Sequence, residues 1–244
     1  MAYQHFYQFY DSLMEDVPYE KYIHLVKEYA KKDQIILDVG CGTGSVLTRL
    51  IEEGFLVDGL DLSDEMLLVT QQKLSDKKLH TNLYQDDMRN IMVENAYDII
   101  ISFLDSINYL TTYEDILQTF TRIYKAIKNE GYFIFDVHSL NKVHQVFDGY
   151  CYNETMDDYT YLWNSYVERE ENFSSVYHEL IFFIKQTNDL YKRLEEFHHQ
   201  VIFPLPDYVN ILEKVGFKIE KMLYDFDNSK NETNCDKIII VAKK

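Results

Sequence analysis

Asp38 and three glycines, Gly40, Gly42 and Gly44, stand together in the segment ILDVGCGTGSV, residues 36–46. The apolar run before Asp38 is typical of a strand buried on both faces. Glycines in the turn after such a strand let the backbone approach a ligand closely, and a following helix presents free N–H groups there. Because Asp38 would repel a pyrophosphate and attract an ammonium group, the segment favours a zwitterionic amino-acid group over a dinucleotide.

Further acidic residues follow the next three predicted strands. Asp61 ends the second strand, a position that in doubly wound folds holds ribose hydroxyls. Asp86 and Asp87 follow the third strand, where either carboxylate could accept a hydrogen bond from an exocyclic amine. Leu104 and Asp105 follow the fourth strand. Since ligands of open α/β sheets bind at the carboxyl ends of the strands, we expect these residues to surround one site.

Three histidines are candidate bases for proton removal. His138 lies just past the fifth predicted strand, and His198 and His199 lie on the last strand of a β-rich segment. Adjacent strand residues point to opposite faces, so only one of His198 and His199 can face a pocket. These histidines and His178 lack the spacing of metal ligands, and we predict no metal site. Four aromatic residues could surround a cationic amine or simply pack in a sheet: Tyr109, Tyr161, Trp163 and Tyr191.

The overall composition limits the classes of partner. The 244 residues include 24 Lys and Arg against 41 Asp and Glu, a formal charge of -17, which makes nucleic acid an unlikely substrate. No apolar run is long enough to span a membrane, and the first residues do not resemble a signal peptide. The three cysteines are far apart, without metal-binding spacing, which indicates free thiols and a cytoplasmic location. The sequence does not indicate an oligomeric state.

Alternating apolar strands and amphipathic helices between residues 34 and 148 predict an α/β fold with a doubly wound, Rossmann-like sheet. Two helices precede it. Ser63 is predicted to cap one later helix, and Thr112 with Asp115 another, which we expect to stop at Gly131. The fifth strand is predicted at YFIFDV, residues 132–137.

After residue 148 the pattern changes to long β-rich segments joined by short polar breaks. We predict an antiparallel insertion of about three strands that forms a lid over the site. The predicted organisation is a core with N-terminal helices over 1–148, the inserted lid over 149–203, and completion of the core over 204–244 by a helix and two strands.

Five segments, LDVGCGTG, GLDLSDEML, DDMRN, YDIIISFLDSINYL and GYFIFDVHS, resemble the successive motifs of class I S-adenosylmethionine-dependent methyltransferases. The resemblance covers about residues 34–139 and implies a seven-stranded sheet whose last strand is antiparallel. It also implies S-adenosyl-L-methionine as the cofactor. Asp38 would bind the ammonium of its methionine part, which Gly40 and Gly42 would contact. Asp61 would hold the ribose, and Leu62 would lie against the adenine.

The same resemblance assigns residues further along the chain. Asp87 and Met88 would meet the adenine ring, although the extra acid in QDDMR leaves Asp86 as an alternative to Asp87. Leu104 would lie near the methionine part. Two N-terminal residues resemble side chains that close over the cofactor in this family: Tyr10 and Tyr22.

The β-rich insertion resembles that of the small-molecule branch, which includes glycine N-methyltransferase and the sugar-amine N-methyltransferases, where it roofs the acceptor site. We therefore expect methyl transfer to a small polar acceptor, an amine in preference to a hydroxyl. The N-P-P-[YFW] motif of base-amine methyltransferases is absent, and FLDSINY stands after the fourth strand instead. Two alternatives stay open: a non-catalytic sensor that binds S-adenosylmethionine, and a methyltransferase that acts on RNA or protein.

Overall fold

The computed structural model describes residues 10–187 and 190–244. Its eleven described strands are β1 Ile35–Val39, β2 Leu56–Asp61, β3 Leu83–Gln85, β4 Tyr97–Ser102, β5 Ile127–His138, β6 Cys151–Thr155, β7 Tyr159–Arg169, β8 Ser174–Lys185, β9 Tyr191–Ile202, β10 Lys218–Tyr224 and β11 Lys237–Lys243. The described α-helices are α1 Tyr10–Leu13, α2 Tyr19–Tyr29, α3 Ser45–Glu52, α4 Asp64–Asp76, α5 Tyr113–Ala126, α6 Leu140–Lys142 and α7 Leu205–Val215.

The main sheet has seven strands in the order β10-β11-β5-β4-β1-β2-β3. Strands β1 to β5 are parallel, and β11 is antiparallel to both of its neighbours, β5 and β10. The expected doubly wound sheet with a reversed last strand is therefore confirmed. Because the first five strands all point the same way, their carboxyl ends meet at one edge, where Asp38, Asp61 and His138 lie.

Both faces of this sheet are covered by helices, which explains why its strands are continuously apolar. Ile100 of β4 packs in the cluster that contains α5 and α7, whereas Ile99 and Ile101 pack in the cluster that contains α2 and α3. The two predicted helix starts are confirmed. The hydroxyl of Ser63 accepts from Met66 N–H at 3.1 Å, and that of Thr112 accepts from Asp115 N–H at 3.0 Å.

The predicted end of α5 is wrong. This helix ends at Ala126, and β5 begins at the next residue, so Gly131 lies inside the strand. A Cβ at Gly131 would lie 2.4 Å from the carbonyl oxygen of Asp98 on the neighbouring strand β4. The glycine therefore permits a close approach of two backbones and does not terminate the helix.

The insertion between β5 and α7 is a four-stranded antiparallel sheet in the order β6-β7-β8-β9. The sequence predicts the three longer strands and misses β6, which lies at the edge of this sheet and is mostly exposed. Across β8 and β9, His178 pairs with His198 and Tyr177 pairs with His199, so the two pairs face opposite sides of the sheet. None of the helices in the described ranges is long and apolar enough to cross a membrane.

Candidate active site

Asp38 ends in an unusual environment at the carboxyl end of β1. Its side chain is 2% exposed, and its Oδ2 atom has no hydrogen-bond partner within the described chain. Burial, and then the nearby charge of Asp61, raises the pKa of Asp38 to about 8. A buried, unpartnered carboxylate oxygen is costly, and a ligand ammonium would supply both the missing donor and the missing positive charge.

The glycines of the following turn have different roles. Gly40, Gly42 and Gly44 all adopt positive φ angles, of 72°, 55° and 72°. A Cβ on Gly40 would lie 2.7 Å from the Ser106 Cβ, and one on Gly44 would lie 2.5 Å from a Thr70 methyl carbon, whereas one on Gly42 would meet nothing within 4 Å. Gly40 and Gly44 therefore permit packing within the protein, and the open space lies at Gly42.

Asp61 fastens this turn to the end of β2. Its Oδ2 accepts from Gly42 N–H at 2.7 Å and its Oδ1 accepts from Ser63 N–H at 2.9 Å. Burial raises the pKa of Asp61, although these backbone donors partly oppose the shift. Each carboxylate oxygen keeps a second lone pair, so the group can still accept from a ribose hydroxyl. The neighbouring Leu62 side chain is 68% exposed, a large apolar surface at the rim of the site.

After β3, Asp86 and Asp87 both remain candidates for the hydrogen bond to the adenine amino group. Both oxygens of Asp87 contact Arg89, with Oδ2 2.6 Å from Nη2, and these bonds hold the pKa of Asp87 below its usual range. Asp86 is exposed, and its carboxylate accepts from Asp87 N–H at 2.7 Å. Met88 is partly buried close to Gly40, with its methyl carbon 3.8 Å from a Cβ built there.

Leu104 and Asp105, at the end of β4, both have left-handed backbone conformations, with φ of 57° and 59°. Such angles are unfavourable for a residue such as Leu, whereas Asp adopts them more readily. The Asp105 N–H donates to Asp136 Oδ1 at 2.8 Å, which holds this turn against β5.

A buried ionic network connects this turn to the last strand. Lys237 Nζ lies 2.8 Å from Asp105 Oδ1 and 3.1 Å from Asp136 Oδ2, and the Tyr22 hydroxyl donates to Asp136 Oδ2 at 2.7 Å. Burial alone would lower the pKa of Lys237, but the two carboxylates outweigh it and hold that pKa well above its usual value. Sequence analysis missed Lys237 and Asp136. The signal was an acid within the apolar strand YFIFDV and a lysine at the start of β11.

A cavity of about 480 Å³ lies where the sheet edge meets the inserted sheet. The turn after β4, the end of β5, the N-terminal helices and the inner face of β7 to β9 all contribute to its wall. Three predicted cofactor residues line it: Tyr10, Tyr22 and Leu104. The other predicted cofactor residues lie outside its wall: Asp38, Gly40, Gly42, Asp61, Leu62, Asp87 and Met88. The site thus has two parts, the glycine turn and the cavity, and the Leu104 turn connects them.

Three histidines line the cavity, and burial lowers the pKa of each, to about 3 for His178 and about 4 for His198. Trp163 Nε1–H donates to His178 Nδ1 at 3.1 Å, so the proton of His178 is on Nε2. The Tyr109 hydroxyl lies 3.0 Å from His198 Nδ1. His138 Nε2 lies 3.4 Å from Asp105 Oδ2, and its buried Nδ1 has no hydrogen-bond partner within the described residues.

The remaining predicted side chains lie elsewhere. His199 is on the outer face of the inserted sheet, exposed and stacked on the Tyr177 ring at 4.4 Å between centroids. Of the four aromatic candidates, Tyr109 and Trp163 line the cavity, whereas Tyr161 packs in a cluster with Phe182 and Tyr191 is exposed. Within residues 10–187 and 190–244, no group of three or more His, Cys, Asp or Glu side chains is arranged to hold a metal ion.

Known proteins are similar to this chain in both sequence and architecture. A family model described as a methyltransferase domain matches residues 36–131. The inferred methyltransferase YqeM of Bacillus subtilis (strain 168) is 35% identical, over 100% of this chain and 98% of its own length. An inferred methyltransferase from Geobacillus sp. (strain WCH70) is 34% identical over the whole of both chains. The glycine/sarcosine N-methyltransferase of Aphanothece halophytica is 28% identical, over 92% of this chain and 81% of its own.

Solved structures support the same relationship. An S-adenosylmethionine-dependent methyltransferase from Clostridium acetobutylicum ATCC 824 has a TM-score of 0.84 and 28% identity, over 99% of this chain and 98% of that chain. DesVI of Streptomyces venezuelae, 21% identical, shares the fold with a TM-score of 0.74 over 96% of each chain. The unpartnered oxygen of Asp38 and the open space at Gly42 fit the cofactor of this family. The chain belongs to the class I S-adenosylmethionine-dependent methyltransferases, is related to a glycine/sarcosine N-methyltransferase, and contains an antiparallel β insertion.

Proposed function

We propose that this protein methylates an amine of a small molecule held in the cavity beneath the inserted sheet. The observation that carries the proposal is the cavity of about 480 Å³ with a neutral, buried imidazole, that of His138, whose Nδ1 has no partner within the described residues. A cavity of this size suits a small ligand. The similarity to an enzyme named as a glycine/sarcosine N-methyltransferase supports an amine acceptor.

The cofactor supplies an electrophilic methyl group bonded to a sulfonium. We assign its ammonium to Asp38 and its ribose to Asp61, and the open space at Gly42 supports an approach of the ligand to the backbone. Gly40 shapes the turn for the methionine part. Further assignments are Leu62 and Met88 to the adenine ring, Asp87 or Asp86 to its amino group, Leu104 to the methionine part, and Tyr10 and Tyr22 to the cover over the cofactor.

An amine acceptor must present a lone pair, so any ammonium proton has to leave before transfer. His138 is our first candidate for receiving it. The Asp105 carboxylate lies 3.4 Å from Nε2 of this ring and would stabilise the imidazolium, while Nδ1 has no partner within the described residues. His198 is the second candidate, next to the Tyr109 hydroxyl. His199 is left out of the proposal because its ring lies on the opposite face of the sheet.

Two wider assignments go with this function. We keep the division of the chain at residues 148 and 203, in which 149–203 is the unit that covers the acceptor. We also propose the cytoplasm as its compartment, which the three unpaired cysteines support.

The test is transfer of a labelled methyl group from S-adenosylmethionine to a panel of amines and their hydroxyl counterparts. We expect product from an amine, a loss of about 10²–10⁴-fold in kcat for His138→Asn, and little change for the matched variant His199→Asn. Label found only in protein or RNA, or only in hydroxyl products, would overturn the proposal. Binding of S-adenosylmethionine without transfer to any compound or cell extract would favour the sensor alternative.

A further inference from the structure

Lys142 lies in the wall of the same cavity, and we propose that its ammonium binds an anionic group of the acceptor, a carboxylate or a phosphate. This inference rests on the proposed function, because it assigns the acceptor's chemical class. The acceptor would then be amphoteric, with the amine that is methylated and a negative charge in the same small molecule.

The first observation is that Lys142 has no acidic partner. Within the described chain, no carboxylate oxygen lies within 4 Å of its Nζ and no acceptor forms a hydrogen bond with it. Its neighbour is the Phe147 ring, whose centroid is 5.0 Å from Nζ. By contrast Lys237, in the same wall, contacts both Asp105 and Asp136. Burial, and then the charge of Lys237, lowers the pKa of Lys142, and the more distant charges of Asp105, Asp236 and Asp136 oppose this shift only in part. An unpaired, largely buried ammonium is costly, and a bound anion would remove that cost.

The second observation is that the partly buried acids of the cavity wall, Asp105 and Asp225, and the buried Asp136 beside it are already engaged. Asp105 and Asp136 share Lys237, and Asp225 accepts from Lys230 Nζ and from the backbone N–H groups of Asp236 and Lys237. The remaining two acids of the wall, Asp16 and Asp236, are exposed. An anion at Lys142 therefore does not have to displace an existing buried ion pair.

The third observation is the position of Lys142 relative to the candidate base. The Phe147 ring contacts His138 on one side, with centroids 5.2 Å apart, and Lys142 at 5.0 Å. Both groups therefore contact the same aromatic side chain, and they lie close enough that, besides burial, the charge of Lys142 lowers the pKa of His138. A small acceptor whose amine lies near His138 would place its anionic group at Lys142 when only a few bonds separate the amine from the anion.

The test compares matched acceptors: glycine with glycinamide, β-alanine with β-alaninamide, tyrosine with tyrosinamide, and O-phosphoethanolamine with ethanolamine. Labelled methyl transfer gives kcat/KM, and saturation-transfer NMR gives binding without turnover. In the unaltered protein, at least one anionic compound is expected to have a kcat/KM about 10- to 100-fold higher than that of its neutral counterpart. This ratio corresponds to one charge-assisted contact. Lys142→Met should remove this preference by lowering kcat/KM for the anionic compound only. Lys142→Arg should retain most of the preference.

The matched control is Lys128→Met, because Lys128 pairs with Asp98 outside the cavity and should leave the preference unchanged. Preference for the neutral compounds, no binding of any anionic compound, or a preference that survives Lys142→Met would overturn the inference. The affinity for S-adenosylhomocysteine is measured in every variant and should not change with Lys142→Met. A protein that does not bind S-adenosylhomocysteine would refute the proposed function instead, so the two failures are distinguishable.

Discussion

At the residue scale, Asp38 has a carboxylate whose charge the described part of the fold leaves poorly compensated. Its carboxylate is buried, one oxygen lacks a donor in the described chain, and its pKa is raised to about 8. The ligand-free protein therefore favours the protonated acid at neutral pH. A bound ammonium would favour the ionised form, so binding must release a proton from Asp38.

The affinity for S-adenosylhomocysteine, which carries the same ammonium, should consequently rise with pH between about pH 5 and 8, by up to about tenfold per pH unit. Calorimetry in buffers of different ionisation enthalpy measures both the affinity and the released proton. Asp38→Asn should bind more weakly and lose most of this pH dependence. The exposed Asp33→Asn is the control and should keep it. A pH-independent affinity in the unaltered protein would contradict the assignment of the ammonium to Asp38.

Asp61 holds two backbone N–H groups, and one variant tests whether its carboxylate also binds the ribose. Asp61→Ala removes the acceptor of two backbone N–H groups, so we expect the free energy of unfolding to fall by about 1–2 kcal/mol. If the carboxylate also holds the ribose, S-adenosylhomocysteine binding should weaken by about 2–3 kcal/mol. Urea unfolding and calorimetry separate the two effects. A stability loss with unchanged affinity would show that Asp61 only fastens the turn.

At the level of elements, the turn from β1 to α3 contains one glycine beside open space, Gly42, and two glycines that permit packing, Gly40 and Gly44. Gly42→Ala adds a methyl group in open space, so its expected stability cost is only the backbone strain, about 1–2 kcal/mol, while cofactor-product affinity falls at least tenfold. Gly44→Ala adds a methyl group against Thr70 and should lose more stability than Gly42→Ala. Thermal unfolding and calorimetry on both variants test this. If Gly42→Ala and Gly44→Ala lose the same affinity and have the same stability, the two glycines do not differ in role.

Helix α1 is attached to this turn through Asp11. The Asp11 carboxylate contacts Lys73 Nζ at 2.6 Å and accepts from the Thr43 hydroxyl at 2.7 Å. Asp11→Ala should therefore loosen the segment that carries Tyr10 and raise the dissociation rate of S-adenosylhomocysteine by up to about fivefold, which corresponds to about 1 kcal/mol. Because Asp11 is partly exposed, the stability loss should stay below about 1 kcal/mol. Stopped-flow displacement measures the rate, and an unchanged rate would show that α1 does not cover the cofactor.

The sequence predicts the elements whose signal is local. The runs ending at Asp38, Asp61 and Ser102 are apolar because their strands are covered on both faces, and the caps at Ser63 and Thr112 depend on residues three positions away. The cofactor class followed from the motifs of these same segments. Edge strand β6 has no such pattern because it is largely exposed.

The features that the sequence did not predict depend on contacts between distant segments. Gly131 was misinterpreted because its function is a close approach to Asp98 on another strand. Lys237 meets Asp105 and Asp136 only because β11 pairs with β5 in the register that places Lys237 opposite His138. That Lys142 forms no ion pair with any of the described residues is equally impossible to read from the sequence, since it depends on the folded cavity.

For the whole molecule, the buried titratable groups predict a stability maximum for the ligand-free protein near neutral pH. The pKa of His178 is lowered to about 3 and that of His198 to about 4, so the unfolded chain binds more protons than the native state below about pH 6.5. Stability is therefore lost as pH falls through this range. The raised pKa of Asp38, about 8, has the opposite effect, because the native state keeps a proton that the unfolded chain has released. Stability from Asp38 is lost as pH rises from about 4 to 8.

The expected free energy of unfolding, measured with urea at a series of pH values, thus has a maximum between about pH 6 and 7. Each group contributes a limiting slope of about 1.4 kcal/mol per pH unit. His178→Asn should reduce the rise of the free energy of unfolding between about pH 4 and 6 by up to about 1.4 kcal/mol per pH unit. Asp38→Asn should reduce the fall of the free energy of unfolding on the alkaline side of the maximum. Saturating S-adenosylhomocysteine should also flatten the alkaline side, because the ligand ammonium compensates the ionised Asp38. If the loss of stability at alkaline pH persists unchanged in both Asp38→Asn and the ligand-bound protein, its cause is repulsion within a chain of formal charge -17 and not Asp38.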